Sequence, residues 1–143
     1  MSNISRWNLV FGFSAIVFSA SGGFFLATEQ SRHFVQNAVG DSSWWFILSS
    51  SAHGHTNLFG MLHVLMALTF PYSRFGSRIQ AYQTYGLGAG TFAMSFLMVI
   101  RSLSKPVIDF DLLGILIGLF LSCSLLSLIT QIVGLLKIKP GRP

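Results

Sequence analysis

Four long apolar blocks occupy most of this 143-residue chain, and they leave room for few other structures. They cover residues 9–27, 44–70, 82–100 and 112–136. Each block is long enough to cross about 30 Å of hydrocarbon as a helix that rises about 1.5 Å per residue. The segments between them are too short for a second domain. The pattern therefore predicts an all-α protein with a single integral membrane domain, residues 1–143, built as a four-helix transmembrane bundle.

Composition excludes an ordinary soluble domain. Apolar residues make up 52% of the chain, charged residues only 9%, and the mean hydropathy is +0.64, whereas charged residues are about a quarter of a typical soluble domain. The net charge of +5 comes largely from short connecting segments rather than from a basic stripe. We therefore expect the lipid bilayer as a partner and no nucleic acid.

The distribution of basic residues predicts the topology. They concentrate in the amino-terminal segment, the second loop and the carboxy-terminal tail, as Arg6, Arg74, Arg78, Lys137, Lys139 and Arg142. The first loop, from Thr28 to about Ser43, and the loop before residue 112 have nearly balanced charge. By the positive-inside rule both termini are cytoplasmic, and the expected location is a bacterial inner membrane.

Small residues predict where the helices approach each other. Gly86 and Gly90 form a small-xxx-small pair in the third block, which lets helix backbones pack closely within the chain or between protomers. The first block carries a similar run of small residues, including Gly12, Ser19 and Gly23, that favours a packing seam over a ligand site. The single cysteine, Cys123, cannot form an intrachain disulfide and is expected to pack as a small hydrophobe.

Three histidines and an asparagine lie in the second block, between residues 53 and 63. Polar groups inside a membrane are costly, so they are a functional-site hypothesis by default. At about 100° per residue, His53 and Asn57 share one helix face and His55 points elsewhere. His63 lies about 12 Å from His55 along the axis, too far for both to ligate one ion. One compact three-histidine metal centre is therefore excluded on a regular helix.

Haem suits this pattern better than a bare ion, because the porphyrin supplies four nitrogens and needs only one or two axial ligands. We therefore predict haem as the cofactor, with one of these histidines, such as His53 or His55, as an axial ligand. Gly54 and Gly60 would leave the helix surface free for the flat macrocycle.

Two other interpretations of the histidines stay open. A metal site could be completed by loop residues such as Glu29, His33 or Asp41. Alternatively, His53 and His55 lie at the wet interface while His63 hydrogen-bonds a neighbouring helix.

The segment from Ala52 to Pro71 resembles two groups of membrane haem proteins. Ala52-His53-Gly54, followed by an apolar run ending in Pro71, is similar to the second helix of subunit I of the haem-copper oxidases. The chain also resembles styrene oxide isomerase in length, in four spans, and in a glycine seven and a proline eighteen residues after the histidine, here Gly60 and Pro71.

The second resemblance implies a b-type haem bound by His53 near a protomer interface of a trimer. It also implies that ferric iron acts as a Lewis acid on the epoxide oxygen of a small hydrophobic substrate. The family's asparagine before the glycine is replaced by Phe59 here, and we expect the nearest asparagine, Asn57, as the polar catalytic contact. Two alternatives remain. One is a haem protein for electron transfer or gas binding, and the other is a small transporter or accessory subunit with His55, Asn57 and His63 along a polar path.

Overall fold

A computed structural model describes residues 1–37, 43–106 and 111–136, and every regular element in these ranges is helical. The elements are α1 (Asn3–Asn37), α2 (Trp44–Thr69), a 3₁₀ turn (Phe70–Tyr72), α3 (Ser77–Phe92), the π turn (Ala93–Leu97), α4 (Met98–Ser102) and α5 (Leu112–Leu136). The third helical run, residues 77–102, is divided into α3 and α4 by this π-helical turn.

The bounds of α2 and α5 follow their sequence signals. Ser43 caps α2, because its hydroxyl accepts a hydrogen bond from the Phe46 N–H at 3.3 Å. Pro71 has no N–H to donate, and the chain tightens into the 3₁₀ turn just before it. α5 has the predicted limits, Leu112 and Leu136.

The predicted first loop is wrong in its first half, since α1 continues as helix from Thr28 to Asn37. This stretch contains neither proline nor glycine. Its hydroxyls also bond back to helix carbonyls: Thr28 donates to the Phe24 carbonyl and Ser31 to the Ala27 carbonyl, each at 2.9 Å. A polar composition therefore marks where an apolar block ends, but it does not end the helix.

The helices pack against their chain neighbours in alternating directions. Gly12 of α1 meets Gly60 of α2, and further along α1 Ser19 meets His53, so residue numbers rise on one helix while they fall on the other. The third helical run packs on α2 in the same antiparallel way, and α5 packs on α3 and the π turn. α2 therefore lies between α1 and the third run.

Gly86 and Gly90 form the contact between α3 and α5, which confirms the predicted role of this pair in packing within the chain. The Ser124 hydroxyl donates to the Gly86 carbonyl at 2.9 Å. A Cβ at Gly90 would lie 2.8 Å from the Phe59 ring and would also collide with Ser124. The backbone of α3 can approach both neighbours only because these positions lack side chains.

One end of the bundle is held by an ion pair between the third run and α5. The Arg101 guanidinium binds the Asp111 carboxylate, which also accepts the Gly114 N–H at 2.8 Å at the start of α5. These hydrogen bonds, the one from Arg101 first, lower the pKa of Asp111 below its ordinary value. The Trp44 indole N–H donates to the Arg101 carbonyl at 3.3 Å, so the start of α2 joins the same cluster.

Two helices in the described part of the chain are long and apolar enough to cross a membrane, at Asn3–Gln36 and Leu112–Leu136. α2 contains serine, histidine and asparagine, and the π turn divides the third run. The all-α fold is thus confirmed, together with two helices suited to a bilayer.

We predict that Gly90→Leu destabilises the fold by about 1–3 kcal/mol, because its side chain would enter space that Ser124 and Phe59 already fill. The measurement is the free energy of unfolding in mixed detergent micelles. Gly88→Leu is the matched control on the same helix, since a Cβ there meets nothing within 4 Å. Equal stability of the two variants would contradict this account of the α3–α5 contact.

Candidate functional site

His53 is held against α1 through one ring nitrogen. Its Nδ1 lies 2.8 Å from the Ser19 carbonyl oxygen and 3.0 Å from the Ser19 hydroxyl. A carbonyl oxygen can only accept, so Nδ1 carries the proton. In the neutral ring, Nε2 then keeps its lone pair. Metal-binding histidines commonly have this arrangement, with one nitrogen donating to a carbonyl while the other is a ligand.

Ser19 and His53 bind each other reciprocally. The Ser19 hydroxyl donates to the His53 carbonyl at 2.7 Å, while the imidazole donates to the Ser19 carbonyl. Ser19 is 3% exposed, so this pair lies within the α1–α2 contact. The side chain and the backbone of His53 are therefore both fixed by one turn of α1.

Gly23 gives the imidazole room to lie on α1. A Cβ at this position would be 2.6 Å from Nε2 of His53 and closer still to Cε1. The sequence assigned Gly23 to a packing seam. The side chain that packs against Gly23 in that seam is His53, the predicted iron ligand, rather than an aliphatic residue.

A cavity of about 240 Å³ lies beside His53, between α1, α2 and the third run. Its walls are mainly apolar, with a few hydroxyls, one of them from Ser95 of the π turn. π turns occur frequently at functional sites. The side chains around the cavity include Phe18, Phe25, Leu26, Trp45, Ser49, Thr56, Ser95 and Val99.

The other predicted site residues lie in different environments. His55 is exposed, and its Nδ1 lies 2.8 Å from the carbonyl of Ser51, one turn earlier in the same helix. Asn57 is half-buried, one turn after His53. Gly54 faces open space, as predicted for a surface that a ligand could approach, whereas Gly60 packs against Gly12 of α1. The space at Gly60 is thus filled by a helix.

His63 belongs to a separate buried network. It is 1% exposed, and its Nδ1 lies 2.6 Å from Oδ1 of Asn8, while its Nε2 lies 3.2 Å from the Thr91 hydroxyl. Asn8 is fully buried and also binds Thr84. Three helices, α1, α2 and α3, therefore meet at this imidazole, and both of its nitrogens are engaged.

The direction of these hydrogen bonds can be assigned from their fixed members. The Thr84 hydroxyl donates to the Gln80 carbonyl at 2.8 Å, so it accepts from Asn8 Nδ2 at 2.7 Å. Asn8 Nδ2 also donates to the Ile4 carbonyl, which leaves Oδ1 to accept from Nδ1–H of His63. In this tautomer Nε2 of His63 accepts from the Thr91 hydroxyl at 3.2 Å, and that hydroxyl shares its one proton with the Leu87 carbonyl at 3.0 Å. Each side chain in the network thus has a partner, and this is the chemistry of a structural contact.

The structure thus separates the three histidines that the sequence places together. No hydrogen bond joins His55, Asn57 and His63 in the described ranges. Within those ranges, no group of three histidine, cysteine, aspartate or glutamate side chains could hold a metal ion. Asp41, one candidate for a loop-completed site, lies outside the described residues.

Sequence reasoning missed several partners of these histidines, above all Asn8 and Thr91. Asn8 carried a signal, because an amide beside an apolar block needs a partner inside the bundle. Thr91 carried none, since threonine hydroxyls commonly bond to their own helix.

Comparison with known proteins gives no relative: no protein-family model, no curated protein and no solved structure matches this chain.

We predict that Asn8→Leu and His63→Leu each destabilise the protein by about 1 kcal/mol or more, because each leaves a buried polar partner unpaired. The double variant should lose less stability than the sum of the two single losses, because it removes both members of the hydrogen bond and leaves neither of them buried without a partner. Unfolding free energies in mixed micelles measure this cycle. His55→Leu, at an exposed position, is the control and should change stability by less than about 0.5 kcal/mol. Strict additivity would contradict the assigned Asn8–His63 bond.

Proposed function

We propose that this chain is an integral membrane protein that binds haem b through His53. The observation that carries the proposal is the hydrogen bond from Nδ1 of His53 to the Ser19 carbonyl. This bond fixes the tautomer in which Nε2 can bind iron. It also orients the ring, because Ser19 is buried in the contact between α1 and α2.

A four-span arrangement is the membrane topology that we propose. It is supported by the burial pattern of α1, where small and polar residues face α2 and large apolar residues face outward. The buried positions include Ser5, Asn8, Ala15 and Ser19, whereas Trp7, Val17, Phe18 and Phe24 are exposed. Membrane helices pack in this way, because lipid is as apolar as leucine and small residues allow close contact.

The limited space beside His53 favours a haem site that is shared between protomers. The cavity of about 240 Å³ is below the range of about 300–1,000 Å³ typical of small-molecule sites. A haem macrocycle would therefore extend beyond it and would need further protein surface to cover it. Gly22 and Gly54 leave open space on the outer sides of α1 and α2. We therefore propose that a second copy of the chain completes the site, in a homo-oligomer and specifically in a trimer, as the resemblance to styrene oxide isomerase implies.

The surroundings of the histidines favour an open iron coordination position. Both nitrogens of His63 are engaged in the buried network, so His63 is a poor second axial ligand. An electron-transfer site with two histidines would require an exposed residue such as His55 from a neighbouring copy. Haem with one open position, when bound, supplies a Lewis acid that polarises the oxygen of an uncharged ligand.

The reaction that we propose is isomerisation of a small apolar epoxide to a carbonyl compound. One ring C–O bond breaks and a hydride moves to the neighbouring carbon, so substrate and product are isomers and no co-reactant is needed. The apolar walls of the cavity beside His53 suit such a substrate. Asn57, one turn along α2, is the candidate polar contact to its oxygen.

Haem binding is tested with protein purified in mild detergent after expression with added haem. We expect a Soret band and near-stoichiometric haem in the pyridine haemochrome assay. His53→Ala should lose the haem because it removes the ligand, whereas His55→Ala should retain it as the matched control. His63→Ala should also retain haem while lowering stability. Retention by His53→Ala with loss in His63→Ala would reverse the ligand assignment.

Epoxide isomerisation is tested with styrene oxide as the probe and phenylacetaldehyde as the measured product. We expect turnover by the haem-loaded protein and none by His53→Ala. Asn57→Ala should lower kcat by about 10²-fold, the usual loss on removing one oriented donor, with haem content unchanged. A low-spin spectrum with two axial histidines and no turnover would instead identify the electron-transfer alternative.

A further inference from the structure

A second cavity lies between the amino-terminal halves of α1 and α3, at the level of His63 rather than His53. Its volume is about 450 Å³, within the range of ligand sites. Its walls include Ile4, Trp7, Phe11, Ala81, Tyr85 and Gly88. Gly88 adds to the space, because a Cβ there meets nothing within 4 Å.

The lining of this cleft suits a hydrocarbon group. No charged side chain contributes to it. Two of its polar members, His63 and Thr84, already have partners in the buried network with Asn8. The other two, Trp7 and Tyr85, are exposed aromatic residues that add ring surface to the cleft. Phe11 packs edge-on against the His63 ring, with centroids 4.7 Å apart, which further separates the imidazole from an occupant.

A cationic hollow of about 460 Å³ adjoins the cleft and shares Trp7 with it. Its other lining residues are Asn3, Arg6 and Val10. Arg6 is exposed and forms no ion pair with any residue that the structure describes. An apolar cleft and a cationic hollow therefore both border Trp7.

Charge along the chain favours an anionic ligand at this end. All four acidic residues of the sequence lie in or near the first and third connections, as Glu29, Asp41, Asp109 and Asp111. Arg6 near the start of α1 and Arg78 in the first turn of α3 are close in sequence to no carboxylate. Basic pockets between membrane helices on the cytoplasmic side are a known way to bind anionic lipid headgroups.

We propose that the cleft binds one acyl chain of an anionic phospholipid whose phosphate contacts Arg6. Trp7 lies at the boundary between the two parts of the ligand, as indole rings do at the level of lipid headgroups. The acyl chain covers the gap between α1 and α3. This site is independent of His53 and of haem.

The experiment is native mass spectrometry of the full-length, delipidated protein in mild detergent. The probes are palmitoyl-oleoyl phosphatidylglycerol and phosphatidylcholine with the same acyl chains. We expect phosphatidylglycerol to bind more tightly. Arg6→Gln should weaken its binding about fivefold, the effect of one basic residue at a membrane surface.

Gly88→Leu separates the acyl-chain contact from the headgroup contact. Gly88 lines the cleft, and a Cβ there meets no protein atom within 4 Å, so the leucine side chain can take up space in the cleft. We expect about tenfold weaker phosphatidylglycerol binding, equivalent to about two fewer buried methylenes. Gly118→Leu is the matched control on α5, because a Cβ there also meets open space. It should bind as the unmodified protein does, and unchanged unfolding midpoints will show that each variant is folded.

Three results would overturn the proposal. Equal affinity for both lipids would exclude the phosphate contact, and unchanged binding by Gly88→Leu would exclude the acyl chain from the cleft. Displacement of phosphatidylglycerol by equimolar glycerol phosphate would show that a free phosphate group suffices. None of these outcomes depends on whether the protein binds haem.

Discussion

The polar side chains of α2 must find partners inside the helix bundle, and the rest of the structure depends on this requirement. Ser49, Thr56 and His63 are buried. In mutational data, leaving a buried polar group without a hydrogen-bond partner costs about 1–3 kcal/mol of stability. Ser49 bonds to Ser102, Thr56 to its own helix, and His63 to both flanking helices. These bonds fix how α1 and the third run are placed along α2, which apolar contacts alone would leave free to slide.

The two inward-facing histidines of α2, His63 and His53, differ in how many of their ring nitrogens are hydrogen-bonded. His63 has partners on both ring nitrogens, whereas among the residues that the structure describes only Nδ1 of His53 has one. A ring with both nitrogens engaged can hold helices together, but it has no lone pair to offer a ligand. A ring held by one nitrogen is oriented and still able to bind. This difference is why we assign a structural role to the first and a ligand role to the second.

The sequence predicted the elements better than the contacts between them. Apolar runs were enough for the limits of α5, and the small-xxx-small spacing was enough for the Gly86–Gly90 contact. The continuation of α1 beyond Thr28 does not follow from composition, because polar residues end an apolar block but do not end a helix where the stretch, here residues 28–37, contains neither proline nor glycine. Gly60 shows the deeper difficulty. A glycine on a helix admits a cofactor or another helix equally well, and only the fold shows that Gly12 fills the space.

α2 also shows what an average hydropathy leaves out. Its buried polar residues, Ser49, Thr56 and His63, face the bundle, whereas His55 is exposed. Many of its outward positions are large and apolar, including Ile47, Leu58, Met61, Leu65 and Leu68, each more than half exposed in the isolated chain. A window average adds both faces together and ignores which one lipid would meet. In water these side chains would leave a long apolar surface uncovered, whereas lipid or a second copy would cover it. The orientation of the polar face is therefore compatible with contact between the outer face of α2 and lipid, and it places the imidazole of His53 at the contact with α1.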